Sequence, residues 1–170
     1  MAIDLMTLSE ALQPYVLRWI RDRASRVRAV QSVNTAQSIP DSTWTVVQYD
    51  TEVYDQLGEY NPATFTFTAK AAGVYLVSAG VVFEPTGAFT GAEYAGLRLY
   101  KGAALYSYLD RRDQLDVATS TLGYVSLAGT DTIHLAAGET IKLMVWQSSG
   151  GALALAGVKS LNRLAIHRLS

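Results

Sequence analysis

The sequence contains no cysteine, which excludes a disulfide framework, thiolate catalysis and cysteine zinc sites. Histidine occurs twice, at His134 and His167, each inside a β-type run with apolar neighbours. An isolated strand histidine is structural or surface-facing rather than catalytic. Charge is scarce as well: 17% of residues are charged, against roughly 25% in an average soluble domain. So little polar surface implies that area is buried against other subunits. A net charge of −1 and a pI near 6.1 provide no basic field for nucleic acid or an anionic membrane. No apolar run reaches the ~18 residues that a membrane helix needs, so no membrane insertion is expected. Met1-Ala2-Ile3-Asp4 is acidic where a signal peptide would be basic, which predicts synthesis in the cytoplasm without a signal. No Gly-x-Ser-x-Gly elbow, phosphate loop, dinucleotide fingerprint or His-Glu-x-x-His motif occurs. The sequence therefore names no catalytic residue and no cofactor, and the protein is read as a non-enzyme.

What is present is apolar and divided near Arg26, with 49% of residues hydrophobic. In residues 1–25, apolar side chains recur at three-and-four spacing, including Leu12, Tyr15, Val16, Trp19 and Ile20, which is one face of a helix. Thr7 with Glu10 forms a capping-box signature, and Pro14 breaks the helix into a short turn and a main piece. This segment is predicted to be a kinked amphipathic helix that docks on a partner through those five residues. The plain alternative is a helix folded back on its own domain.

Residues 26–170 are different. Short β-branched and aromatic runs alternate with Gly, Pro and Asp breaks at a spacing near 8–12 residues, which predicts an all-β sandwich or jelly roll. The predicted strands include Val74–Phe83, Tyr94–Lys101, Leu105–Leu109 and Thr140–Gln147, with a break at Ala128-Gly129-Thr130. In Val74–Phe83 both faces are uncharged, so a second surface should cover the face of Leu76, Ser78 and Gly80. Met144 and Trp146 share the second face of Thr140–Gln147 and read more easily as interface than as solvent surface. These five residues are the predicted subunit contacts.

Carboxylates cluster twice. Asp50, Glu52, Asp55 and Glu59 could form a glycosidase-like acid pair, but read more plainly as an exposed acidic loop. Asp110, Asp113 and Asp116 could ligate calcium if the segment curls around the ion. Arg111 and Arg112 favour a solvated loop with internal ion pairs instead. Tyr100, Tyr106, Tyr108 and Tyr124 suit sugar contacts or subunit interfaces, and an interface or core position is expected for them.

The order Gln48-Tyr49-Asp50, Phe65-Thr66-Phe67-Thr68, Ala72-Gly73-Val74-Tyr75-Leu76 and Leu99-Tyr100-Lys101-Gly102 resembles the C1q-like globular domain of the C1q/TNF superfamily. Gly123-Tyr124-Val125-Ser126-Leu127, Ile133 through Ile141 and the closing Leu164 to Leu169 continue the likeness, which covers about Val30 to Leu169. The resemblance implies a ten-stranded antiparallel jelly roll, assembled as a homotrimer and used for binding. Departures are the lack of a collagen-like Gly repeat and the presence of Arg168 in the closing strand. A helical leader with a C1q-like head resembles bacteriophage structural subunits: a tail fibre, spike or capsid decoration. By that analogy the protein is a virion surface component that docks on a capsid or tail protein and takes part in host attachment through a surface glycan or receptor. The alternative is a free-standing lectin-like or receptor-binding module.

Overall fold

A computed structural model describes residues 26–30, 36–84, 90–116, 123–158 and 161–169. The helix predicted in residues 1–25, with Leu12, Tyr15, Val16, Trp19 and Ile20, lies outside the described residues. Alternating apolar side chains from residue 26 onward produce strands in chain order: β1 (Arg26–Val30), β2 (Ser38–Ile39), β3 (Thr45–Val46), β4 (Thr51–Asp55), β5 (Tyr60–Asn61), β6 (Thr66–Thr68), β7 (Gly73–Phe83), β8 (Thr90–Lys101), β9 (Ala104–Asp116), β10 (Val125–Leu135), β11 (Thr140–Gln147), β12 (Leu153–Ala154) and β13 (Arg163–Arg168). There is no helix among the described residues.

The strands pair antiparallel in two layers. One sheet has the order β10-β7-β13-β1-β4 and the other β5-β6-β11-β8-β9, with β3 beside β11. Non-sequential neighbours such as β13 between β7 and β1 give the crossed connectivity of a jelly roll. The two paths together hold ten strands, the number that the resemblance implies, although β4 and β5 are not among the strands read from the sequence. The remaining short pieces are β3 and the β2–β12 pair.

Period-two alternation sets the core. Tyr75, Val77, Ala79, Val81 and Phe83 of β7 meet Leu97 and Leu99 of β8 and Ile141, Leu143 and Val145 of β11 in one buried cluster. Apolar burial of this kind contributes roughly 25 cal/mol per Å² and is the main stabilising term. Ser107 Oγ is buried without a hydrogen-bond partner, whereas the buried amides of Gln147 and Asn162 are bonded. Gln147 donates Nε2 to the carbonyls of Ile39 (3.1 Å) and Gly151 (2.8 Å), tying β11 to β2. Asn162 accepts the Val82 amide at 2.7 Å.

Three local expectations differ from the structure. The predicted break at Ala128-Gly129-Thr130 is absent, because β10 runs unbroken from Val125 to Leu135. Gly129 is there for room: a Cβ would stand 2.2 Å from the Leu109 carbonyl oxygen. Asp110–Asp116 is the end of a long strand rather than a loop, paired with β8 up to Thr90↔Asp116. Thr51–Asp55, predicted as acidic loop, is the edge strand β4, paired with β1.

Candidate functional site

The alternation that fills the core leaves two outward faces. On the first sheet, cross-strand register aligns Ser78 with Ala165 and Thr130, and Leu76 with His167 and Thr132. The centre of this face is small and uncharged, and Thr130 Oγ1 donates to Ser78 Oγ at 3.1 Å. Gly80 and Val82 are already buried, and the Val82 carbonyl accepts the Ala156 amide.

On the second sheet, Tyr94, Gly96, Arg98 and Tyr100 of β8 face outward beside Lys142, Met144 and Trp146 of β11, with Arg98 opposite Met144. Trp44 reaches over β11 and lies on Gly96, where a Cβ would come within 3.0 Å of its ring. Tyr94 stacks on Trp146 at 3.9 Å between centroids, and Trp44 lies 6.2 Å from both Trp146 and Tyr108. The Arg98 guanidinium carbon sits 3.7 Å from the Trp44 ring centroid and 4.2 Å from that of Tyr108. Such cation–π contacts contribute about 0.5–2 kcal/mol each, depending on desolvation.

The five predicted subunit contacts are thus divided between opposite faces of the sandwich. Leu76, Ser78 and Gly80 belong to the first sheet, and Met144 and Trp146 to the second. Trp146 is 7% exposed and covered by Tyr94 and Trp44 of its own chain, so it needs no second subunit to hide it.

Two carboxylates of the first acidic cluster are engaged by backbone amides. Asp55 accepts the amides of Leu57, Gly58 and Tyr60 and shapes the turn after β4. Glu59 is buried and accepts the Lys70 amide at 2.9 Å. Asp110 accepts Arg112 Nε at 3.2 Å and the Ala128 amide at 3.1 Å, while Asp113 accepts Arg111 Nε at 2.8 Å. These are the internal ion pairs the sequence suggested, although in a strand rather than a loop. The side chain of Asp116 lies outside the described residues. No group of three or more His, Asp or Glu side chains converges among the described residues.

Of the tyrosines expected in an interface or core, Tyr106, Tyr108 and Tyr124 are not core: all three are exposed on the single chain, Tyr108 with the Arg98 guanidinium over its ring. By contrast Tyr49 and Tyr60 are buried, and Tyr49 Oη donates to the Gly80 carbonyl and Tyr60 Oη to the Tyr49 carbonyl. Burial, reinforced by neighbouring Tyr60 and Asp50 respectively, pushes both phenols far above the usual value near 10.0. His134 is exposed on β10 and His167 half-buried on β13. An open cleft of about 460 Å³ between the β8–β9 turn and the β10–β11 turn is lined by Lys101, Tyr106 and Glu139. Lys101 bridges it to Glu139 at 2.7 Å, and that hydrogen bond, with the Ala136 amide, lowers the Glu139 pKa.

The Trp44–Arg98–Tyr108 cluster is not legible in the sequence. Its one available signal was the outward row Tyr94, Gly96, Arg98, Tyr100, in which a glycine interrupts large side chains.

No family model matches the sequence, and no curated protein matches it. Solved structures are similar in fold. Murine APRIL at pH 8.0 superposes with a TM-score of 0.59 at 17% identity, covering 86% of this chain and 100% of that one. Eiger TNF from S. frugiperda gives 0.55 at 12% identity, covering 87% of this chain and 94% of that one. At such identity the likeness is one of fold: the chain is a jelly roll of the C1q/TNF type.

Proposed function

We propose that the protein is a non-enzymatic, homotrimeric recognition head, used as the display part of a virion appendage such as a tail fibre, spike or capsid decoration. The observation that carries the assembly is the small, uncharged centre of the first sheet's outer face, at Ser78, Ala165 and Thr130. Side chains of this size let a flat surface of another copy approach closely, and Leu76 beside them supplies apolar area. The C1q/TNF fold supports both the trimer and a binding role. Residues 1–25 supply the attachment to a capsid or tail protein, and the particle surface is the site of action.

A free-standing receptor-binding module is the second reading, favoured by the fold likeness to APRIL and Eiger TNF. Cosedimentation with purified particles separates the two. The virion reading expects the intact chain to pellet with particles and a chain lacking residues 1–25 to remain in the supernatant. Failure of the intact chain to pellet overturns it and leaves the free module.

A further inference from the structure

The aromatic face of the second sheet carries chemistry that neither trimer formation nor particle docking uses. Arg98 is held in the corner between Trp44 and Tyr108, yet its Nε is buried without a hydrogen-bond partner. Its terminal nitrogens meet no acceptor among the described residues, which leaves a positive charge unneutralised beside two rings. An unsatisfied buried donor is uncommon in a native structure and calls for a physical explanation. Lys142 adds a second cation on the same face. It pairs with Tyr100 while Arg98 pairs with Met144, so the two are diagonal neighbours, typically about 7–8 Å apart. Lys142 also has no carboxylate partner among the described residues.

We infer that this face binds an acidic saccharide, a sugar ring bearing a carboxylate. A guanidinium fork and an ammonium group match a carboxylate, and charge-assisted bonds of this kind are the strong ones. The Tyr108 ring beside them, 42% exposed, offers a flat apolar surface for the C–H face of a pyranose. The platform is preformed, because Gly96 admits Trp44 and stacked Tyr94 and Trp146 fix its floor. An acidic peptide fits less well. It would seek a free strand edge, and the β10 edge that meets β9 is capped by β9 side chains, where Tyr106 Oη donates to the Thr132 carbonyl and Asp110 accepts the Ala128 amide. The inference deepens the reading of the jelly roll as a recognition head and rests on it. A head can still be trimeric and particle-bound without binding sugar, so the two readings fail separately.

The test is a titration of the full chain with sialyllactose and with D-glucuronate, followed by tryptophan fluorescence and calorimetry, with lactose as the neutral control. Saturable binding of the acidic sugars is expected, with lactose weaker by about tenfold or more. Arg98→Gln should lose about tenfold in affinity and Arg98→Lys should recover part of it, since charge is kept and the fork is lost. Lys142→Gln, at a partly exposed position, should weaken binding without altering the melting curve, which guards against a misfolded Arg98 variant. The inference is overturned if lactose binds as well as the acidic sugars, if none binds, or if both glutamine variants bind normally. It is equally overturned if a poly-glutamate peptide binds more tightly than either acidic sugar, which would assign the face to a protein partner.

Discussion

The backbone of Leu109 occupies the space where a side chain on Gly129 would stand, with its carbonyl oxygen 2.2 Å from the ideal Cβ position. Gly129 lies on the edge strand of one sheet and Leu109 on the edge strand of the other. Here the two layers close on each other. Around this point Tyr106, Asp110 and Lys101 engage backbone groups of Thr132, Ala128 and His134, so side chains cap an edge that would otherwise invite pairing with another chain.

Gly129→Ala should therefore destabilise the fold by about 3 kcal/mol, the upper part of the range for overpacking, because the obstacle is backbone and cannot rotate away. Urea unfolding measures it. An unchanged midpoint would mean that the edges do not meet at this glycine.

Asp110→Ala removes the acceptor for the Ala128 amide and for Arg112 together. The expected loss is about 1–2 kcal/mol, with an exposed β10 edge prone to association. Thermal melts and light scattering at rising concentration read the two effects separately.

Tyr49 and Tyr60 set an alkaline limit. Their phenols are held neutral in the fold, above the value near 10.0 of the unfolded chain. Their contribution is complete below pH 10, and falls as pH rises because the unfolded state then loses protons first. Stability measured from pH 8 to 12 should decline above about pH 10. Tyr49→Phe should flatten that decline while costing about 1 kcal/mol at neutral pH for the lost bond to Gly80. An equally steep decline in the variant would point to other groups.

Self-association should be visible in the full chain at micromolar concentration as a trimer by light scattering. Ser78→Glu places a carboxylate in the centre of the small-residue face and should yield a folded monomer. If Met144→Glu dissociates the trimer and Ser78→Glu does not, the second sheet is the contact and the assignment of faces is reversed.

Trp19→Ala addresses the attachment segment. Loss of a dominant aromatic anchor costs about 2 kcal/mol, roughly thirtyfold in affinity, and should release the protein from its particle with the head still folded. A lower melting temperature with particle association intact would mean that the helix packs on its own jelly roll.

The all-β class, most strand positions and the division of β7 and β11 into two faces were legible in the chain's own pattern. Those follow from a period of two, which is local and readable: Tyr75, Val77 and Ala79 alternate with Leu76 and Ser78 whatever the rest of the chain does. Internal ion pairing of Arg111 and Arg112 with aspartates of the same run was legible too, since neighbours in sequence remain neighbours in space. What the local pattern leaves unread is long-range. Gly129 read as a turn because a glycine's reason for being there, the backbone of Leu109, lies twenty residues away on another sheet. Glu59 read as an exposed acid because the amide it accepts, that of Lys70, comes beside it only after the chain has turned back. Trp146 read as needing a partner subunit, but Trp44 reaches across β11 to cover it, and no local pattern encodes that reach. The Arg98 cluster depends on the same crossing, since three strands and a loop must register before a cation finds two rings.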